Sequence, residues 1–203
     1  MKASIYFISF LIVVSSCHKR CIPRQFNLNG GTLSVFPDKD SIHIGDTLWF
    51  NCSIPVNLKY HVSNASDSGN YNITGATNFR TDFQLTTLLS VNMQAGAIDS
   101  FSFMAGAGGF QSEPLDPDTR KIISFEEING NYIFSLALVP KKKGIYALII
   151  IDIYQAMIRC DKLSVAILMS NMDNHLHYLA DIYFGGQPVD PLDLTHDYCF
   201  KVY

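Results

Sequence analysis

Hydrophobic and polar residues alternate with a period of two along much of this chain. The clearest alternating segments are residues 48–54, 83–93, 132–138 and 198–202. Successive side chains of a β-strand point to opposite faces of its sheet, so this pattern predicts strands with one buried face. Turn-rich segments at 57–78 and 105–120 separate them. Many short strands between such turns indicate a mainly β protein, built as an antiparallel β-sandwich.

Two segments resemble parts of an immunoglobulin-like domain. Gly45 leads into an alternating run that ends at Cys52, as at the second strand of such a domain, and Gly144 with Tyr146 resembles its tyrosine corner. The resemblance implies an immunoglobulin-like β-sandwich. Leu148 stands where that family places its second cysteine, so the family's inter-sheet disulfide is not expected.

The last part of the chain departs from the strand pattern. Residues 145–153 are apolar on both faces, which predicts a strand covered on both sides. One C-terminal α-helix is predicted at about 171–184, because Ser170 suits a helix start and Gly185 a helix end. Its apolar positions recur at helical spacing: Met172, Leu176, Leu179 and Tyr183.

The N-terminal residues have the pattern of an export signal. Residues 1–16 combine one lysine, an apolar run and two small residues before Cys17. The run is too short to span a membrane, which takes about 20 apolar residues. We therefore expect a signal peptide at 1–16, a tether at 17–25 and a single domain at 26–203.

The junction Val14-Ser15-Ser16-Cys17 resembles the lipobox of bacterial lipoproteins, in its bacteroidete form. The resemblance implies that Cys17 is acylated and anchors the protein to a membrane. His18 replaces the aspartate that favours the inner membrane, and a basic stretch replaces the acidic one that favours surface display. This implies an outer-membrane lipoprotein that faces the periplasm. Ordinary cleavage after Ser16, which would leave the protein unanchored, is the alternative.

Charge and cysteine content narrow the classes of partner and site. The chain has 15 basic and 18 acidic residues, for a net charge of −3, so nucleic acid is not an expected partner. With Cys17 acylated, four cysteines allow three disulfide pairings in an oxidising compartment. We predict Cys160–Cys199 and, as a second bond, Cys21–Cys52. The sequence contains no Cys-x-x-Cys motif, so neither a zinc site nor a redox site of that type is expected.

Several acidic and histidine patterns are candidate metal sites. The candidates are a helical ladder of Asp173, His177 and Asp181 and the paired aspartates Asp38 with Asp40 and Asp116 with Asp118. A row with helical spacing is typical of a solvated face, and paired aspartates are typical of turns. We therefore predict no metal, no cofactor and no catalytic residue.

Aromatic residues among polar ones suggest a ligand surface. If Leu48 and its alternating partners face inward, Trp49 faces outward, and Tyr60, His61 and Tyr71 lie in the following polar segment. Exposed aromatic rings beside amides are typical of surfaces that bind glycans or proteins. The alternative is that Trp49 packs under a loop or the C-terminal helix.

These features predict a non-catalytic, membrane-anchored envelope protein that serves as a binding or accessory module, with a glycan or an envelope protein as partner. The first alternative is a periplasmic hydrolase or metal-dependent enzyme whose site lies on loops. The second is a secreted, unanchored adhesion-type domain, in which Asn51, Asn64 and Asn72 would be glycan acceptors.

Overall fold

The computed structural model describes residues 23–61, 68–90, 93–111, 116–170 and 197–203, and most of them lie in β-strands. The strands of the first half are β1 (Gln25–Phe36), β2 (Ser41–Ile42), β3 (Leu48–Pro55), β4 (Asn57–His61), β5 (Ser68–Asn72), β6 (Arg80–Ser90), β7 (Met93–Gly96) and β8 (Phe101–Ala107). The strands of the second half are β9 (Gly109–Gln111), β10 (Arg120–Ser124), β11 (Glu126–Ile128), β12 (Asn131–Pro140), β13 (Gly144–Ile150), β14 (Ile153–Ile158), β15 (Asp161–Met169) and β16 (Asp197–Val202). A 3-10 turn, Ile98–Ser100, precedes β8.

Backbone pairing places these strands in two sheets. The first sheet has the order β11-β12-β3-β1-β15-β14, with β8 also paired to β12 and the β4–β5 hairpin attached to β1. The second sheet has the order β2-β16-β13-β6-β10-β9, with β7 attached to β6. The β1–β15 and β2–β16 pairs are parallel, and the other pairs between these strands are antiparallel. The predicted mainly antiparallel sandwich is confirmed.

An aromatic core joins the two sheets. Phe50 of β3 packs edge to face on Phe83 of β6 and on Tyr198 of β16, with ring centroids 6.4 and 5.7 Å apart. All three side chains are fully buried. Edge-to-face contact is favourable because the positive edge of one ring meets the negative face of the other. Burial alternates along β3 from Leu48 onward, as the sequence pattern predicts.

The predicted strand at 145–153 is in fact two strands in different sheets. β13 ends at Ile150 in the second sheet, and β14 begins at Ile153 in the first. Asp152, at the crossing, accepts a hydrogen bond from the backbone N–H of Ile167 at 2.9 Å. The expectation of two covered faces is confirmed for β13, in which consecutive residues at 146–148 are all buried.

The helix predicted at about 171–184 lies outside the described residues. The signal peptide at 1–16, the acylation site Cys17 and Cys21 lie outside them as well. Within the described ranges there is no α-helix, and none of their residues forms a helix long and apolar enough for a membrane span.

The predicted Cys160–Cys199 disulfide is wrong. Cys160, in the turn between β14 and β15 of the first sheet, is disulfide-bonded, whereas Cys199 is a buried thiol in β16 of the second sheet. Cys52 is also a buried thiol, so the predicted Cys21–Cys52 bond is wrong too. Cysteine spacing does not reveal which sheet each cysteine belongs to. Cys160 and Cys199 belong to different sheets of the sandwich.

Candidate binding surface

Four side chains form a row across the outer face of the first sheet. Phe36 is paired in register with Trp49, Trp49 with Ala137, and Ala137 with Met104. Residues directly opposite each other on neighbouring strands project to the same face of the sheet. Because β1, β3, β12 and β8 are consecutive neighbours, the four residues make one continuous apolar strip, called here the outer row.

The outer row combines an aromatic centre with exposed apolar ends. Phe36 is 69% exposed and Met104 is 51% exposed, while Trp49 is partly exposed. The indole extends across β12, because its Cζ3 atom lies 3.3 Å from the position that a Cβ of Gly106 would occupy on β8. Ala137, which lies between, is fully buried. The absence of a side chain at Gly106 therefore leaves room for the indole.

A polar row runs directly beside the outer row. Ser34, Asn51 and Ser135 occupy register positions two residues from Phe36, Trp49 and Ala137: Ser34 pairs with Asn51, and Asn51 with Ser135. The Ser135 hydroxyl donates to Oδ1 of Asn51 at 2.6 Å. The Ser34 hydroxyl donates to the backbone carbonyl oxygen of Asn51 at 3.4 Å.

The side-chain amide of Asn51 offers a hydrogen-bond donor to a ligand. Its Oδ1 atom already accepts from Ser135, so its Nδ2 group is the remaining donor of the amide. No residue that the structure describes accepts from Nδ2, and the side chain is exposed. The surface therefore offers an aromatic ring, two apolar neighbours, hydroxyls and an oriented amide within two adjacent rows. It can stack on an apolar ligand face and donate hydrogen bonds to the ligand's edge.

Trp49 faces outward as predicted, but the other predicted surface residues do not lie beside it. Tyr60 and Tyr71 pack on the buried ring of Phe26, with ring centroids 5.4 and 4.4 Å away. His61 ends β4, which pairs with the first half of β1, whereas Trp49 pairs with the last residue of β1. The alternation in the sequence predicts a face for each residue, yet it does not predict which end of β1 the β4–β5 hairpin joins.

A charged cluster lies at the start of β1, at the end of the molecule that holds Tyr71. Nη2 of Arg24 lies 3.2 Å from Oδ2 of Asp161, whose side chain is 11% exposed. The Tyr71 hydroxyl donates to the same oxygen at 2.8 Å. Burial opposes ionisation of Asp161, but hydrogen bonds from Arg24 and Tyr71 outweigh it and hold the pKa of the carboxyl below its usual value. Burial and the bond to Asp161 raise the pKa of Tyr71 to about 12.

The paired aspartates Asp116 and Asp118 form a turn, as predicted. The Thr119 hydroxyl and the backbone N–H of Asp118 both donate to the Asp116 carboxylate. The hydrogen bond from Thr119 contributes most to lowering the pKa of Asp116, while partial desolvation opposes the shift. Within the described ranges no three His, Cys, Asp or Glu side chains are grouped so as to hold a metal ion. The ladder at 173–181 lies outside those ranges.

Sequence reasoning missed Phe36, Met104 and the Arg24–Asp161 pair. Phe36 had a usable signal, because residues 31–36 alternate and Phe36 falls at an outward position. Met104 had none, since it lies next to a glycine-rich segment that predicts a loop, while the structure places it in β8. Arg24 and Asp161 are 137 residues apart, and no local pattern relates them.

No protein-family model matches this chain, and no curated protein matches it. Among solved structures, the human F-spondin reeler domain is similar over 76% of this chain and 94% of its own, with 12% identity and a TM-score of 0.32. The CupB6 tip adhesin from Pseudomonas aeruginosa is similar over 74% of this chain and 42% of its own, with 11% identity and a TM-score of 0.17. At these values we assign no function from either structure.

Proposed function

We propose that this protein is a non-catalytic, membrane-anchored module of the cell envelope, and that the surface around Trp49 binds a glycan. The observation that carries the proposal is the outer row, in which Phe36 and Met104 are exposed and Trp49 is partly exposed, beside the polar row that contains Asn51. A sugar ring has an apolar C–H face and hydroxyls around its edge. The indole would take the face, and the Asn51 amide would donate to a hydroxyl.

The size of the apolar strip favours a saccharide over a protein partner. A stable protein interface buries about 800 Å² on each side, with an apolar centre and a polar rim. The outer row is one residue wide, and hydroxyl and amide groups follow directly on one side of it. A narrow aromatic strip beside oriented donors suits a ligand that is apolar on one face and polar along its edge.

The same proposal includes an export signal with a lipid anchor. Residues 1–16 act as a signal peptide, and acylated Cys17 holds the domain at the periplasmic side of the outer membrane. Radiolabelled palmitate is expected to enter the native chain and not the Cys17→Ala variant. A mature protein with an unmodified Cys17 would end the anchoring proposal and leave the glycan site untouched.

The sandwich is also assigned an immunoglobulin-like arrangement. The adjacent strands β1-β3-β12-β8 correspond in order to strands A, B, E and D of that fold, and β6-β13-β16 correspond to C, F and G. The β14–β15 hairpin would then be an insertion between the last two strands that joins the edge of strand A. This order, together with the tyrosine corner predicted at Tyr146, supports the assignment.

Tryptophan fluorescence tests the glycan site directly, because Trp49 is the single tryptophan of the chain. We expect titration with N-acetylglucosamine oligomers and with a panel of neutral oligosaccharides to shift or quench its emission for at least one class. Phe36→Ala and Asn51→Ala keep the reporter and should weaken that binding. Leu89→Ala removes another exposed apolar side chain, on β6 in the other sheet, and should leave saccharide binding unchanged. No emission change with any saccharide, or equal losses in all three variants, would refute the proposal.

A further inference from the structure

A second candidate site lies at the end of the molecule where β1 begins. A cleft of about 400 Å³ opens there between the start of β1, the end of β5 and the β14–β15 turn. Its walls carry two guanidinium groups together with hydroxyl and amide groups. The lining residues are Arg24, Tyr71, Asn72, Thr74, Ile158, Arg159 and Asp161.

The cleft has an excess of positive charge. The Asp161 carboxylate is held by Nε and Nη2 of Arg24 and by the Tyr71 hydroxyl, so Arg24 balances its charge. Tyr71 stays neutral at physiological pH, because its pKa is raised to about 12. Arg159 is exposed and makes no ion pair with any residue that the structure describes. With respect to the described residues, one guanidinium charge and the Nη1 group of Arg24 therefore remain available to a ligand.

The backbone at Arg159 is unusual for such a side chain. Its φ is +56°, in the left-handed region that glycine and asparagine adopt most readily. The other described non-glycine residues with positive φ are Asn78 and Asn129. An arginine is therefore held in the strained position of a tight turn, where its side chain lines the cleft. Strain of this kind clusters at ligand sites.

A second cavity of the same size has a different lining. That cavity lies at the β4–β5 hairpin and is also about 400 Å³. Its lining contains one cationic residue, Lys59, among neutral groups. Guanidinium groups bind phosphate oxygens through two parallel hydrogen bonds, which an ammonium group does not do.

We propose that Arg24 and Arg159 bind a phosphoryl group, as found in a phospholipid headgroup or a soluble phosphate ester. Arg159 would supply a bidentate contact, Arg24 its free Nη1 group, and Thr74 a hydroxyl donor. The lipid source rests on the proposed membrane anchor. The seven residues 17–23 can reach at most roughly 20 Å, so acylation of Cys17 would keep this cleft close to the headgroups. The soluble source is independent of both the anchor and the Trp49 surface.

The test uses the whole chain with Cys17→Ala, so that acylation does not itself cause vesicle binding. Glycerol phosphate is titrated by calorimetry, and co-sedimentation is compared for phosphatidylglycerol and phosphatidylcholine vesicles. Arg159→Asn is the key variant because asparagine tolerates the left-handed backbone, so the fold should be retained. We expect it to weaken glycerol phosphate binding about tenfold or more. Arg159→Lys should recover part of that loss.

The outcomes separate the two sources from a general charge effect. Binding of glycerol phosphate and of phosphatidylglycerol vesicles, both lost in Arg159→Asn, supports the lipid source. Binding of glycerol phosphate alone supports the soluble source. Lys59→Gln removes one positive charge from the other cavity and should leave the binding of glycerol phosphate and of vesicles unchanged. An Arg159→Asn protein that binds as tightly as the native chain, or an equal loss in Lys59→Gln, would overturn the proposal.

Discussion

The Tyr146 hydroxyl donates a hydrogen bond to the backbone carbonyl oxygen of Lys142, four residues earlier and 3.0 Å away. The ring of Tyr146 lies over Gly144, where an added Cβ would come within 3.1 Å of it. This contact explains the Gly-x-Tyr spacing in the sequence. The glycine makes room for the ring, and the hydroxyl fixes the turn that leads into β13.

Removing this hydroxyl should weaken the fold without disturbing the core. Tyr146→Phe keeps the ring contact with Phe101, whose centroid is 4.8 Å away, and loses the bond to Lys142. We expect the free energy of unfolding in urea to fall by about 1 kcal/mol. Tyr203→Phe, at an exposed position, is the matched control and should change it by less than about 0.5 kcal/mol. Equal stability of the two variants would argue against a structural role for the corner.

Two phenylalanines on adjacent strands should differ widely in their contribution to stability. Phe50 is fully buried against Phe83 and Tyr198, whereas Phe36 is 69% exposed on the outer row. Phe50→Ala should cost about 3–5 kcal/mol, because it leaves a cavity between the sheets. Phe36→Ala should cost less than about 0.5 kcal/mol. Urea denaturation of both variants measures the difference, and similar losses would contradict the assignment of faces.

Asp161 should make stability depend on pH in the acid range. Its pKa is lowered in the folded state, so its contribution is present above its unfolded pKa of about 3.9 and is lost as pH falls through the folded pKa. Asp161→Asn should lower stability at neutral pH and flatten the decline below about pH 4. Unfolding free energies measured from neutral to acid pH test this. An unchanged slope in the variant would show that the ion pair with Arg24 contributes nothing.

The disulfide of Cys160 has a testable partner. Cys52 and Cys199 are buried thiols, so the remaining cysteines of the sequence are Cys17 and Cys21. Acylation of Cys17 would leave Cys21. We therefore predict a Cys21–Cys160 bond, to be found by peptide mapping without reduction.

Backbone pairing beside Cys160 supports this prediction. The parallel ladder of β1 and β15 starts at Gln25 opposite Lys162, and the N–H of Lys162 donates to the carbonyl oxygen of Arg24 at 2.8 Å. Arg24 therefore lies beside the turn that carries Cys160, and Cys21 precedes it by three residues in the sequence. A peptide that joins Cys160 to Cys52 or Cys199 would contradict the prediction. Alkylation of the native protein should label neither of those two thiols, because both are buried and burial raises the pKa of Cys52.

Local sequence pattern was sufficient to predict the strands and their buried faces. The alternation that begins at Leu48 predicts which side chains of β3 are buried, and Trp49 faces outward for the same reason. The resemblance of Gly144 and Tyr146 to a tyrosine corner implies a hydrogen bond from Tyr146 to the preceding backbone, and Tyr146 makes one to Lys142. These features depend on residues within one strand or turn, where the period-two geometry of the backbone relates position to face.

Contacts between distant strands were decided by the tertiary structure alone. Phe36, Trp49 and Met104 become neighbours because β1, β3, β12 and β8 pair in that order, and Arg24 meets Asp161 across 137 residues. The period-two pattern relates a residue to a face and carries no information about which strand lies alongside or in which register. Strand pairing is set by backbone hydrogen bonds, which are the same for every residue type except proline, together with packing of the whole core. Both candidate sites are products of that pairing.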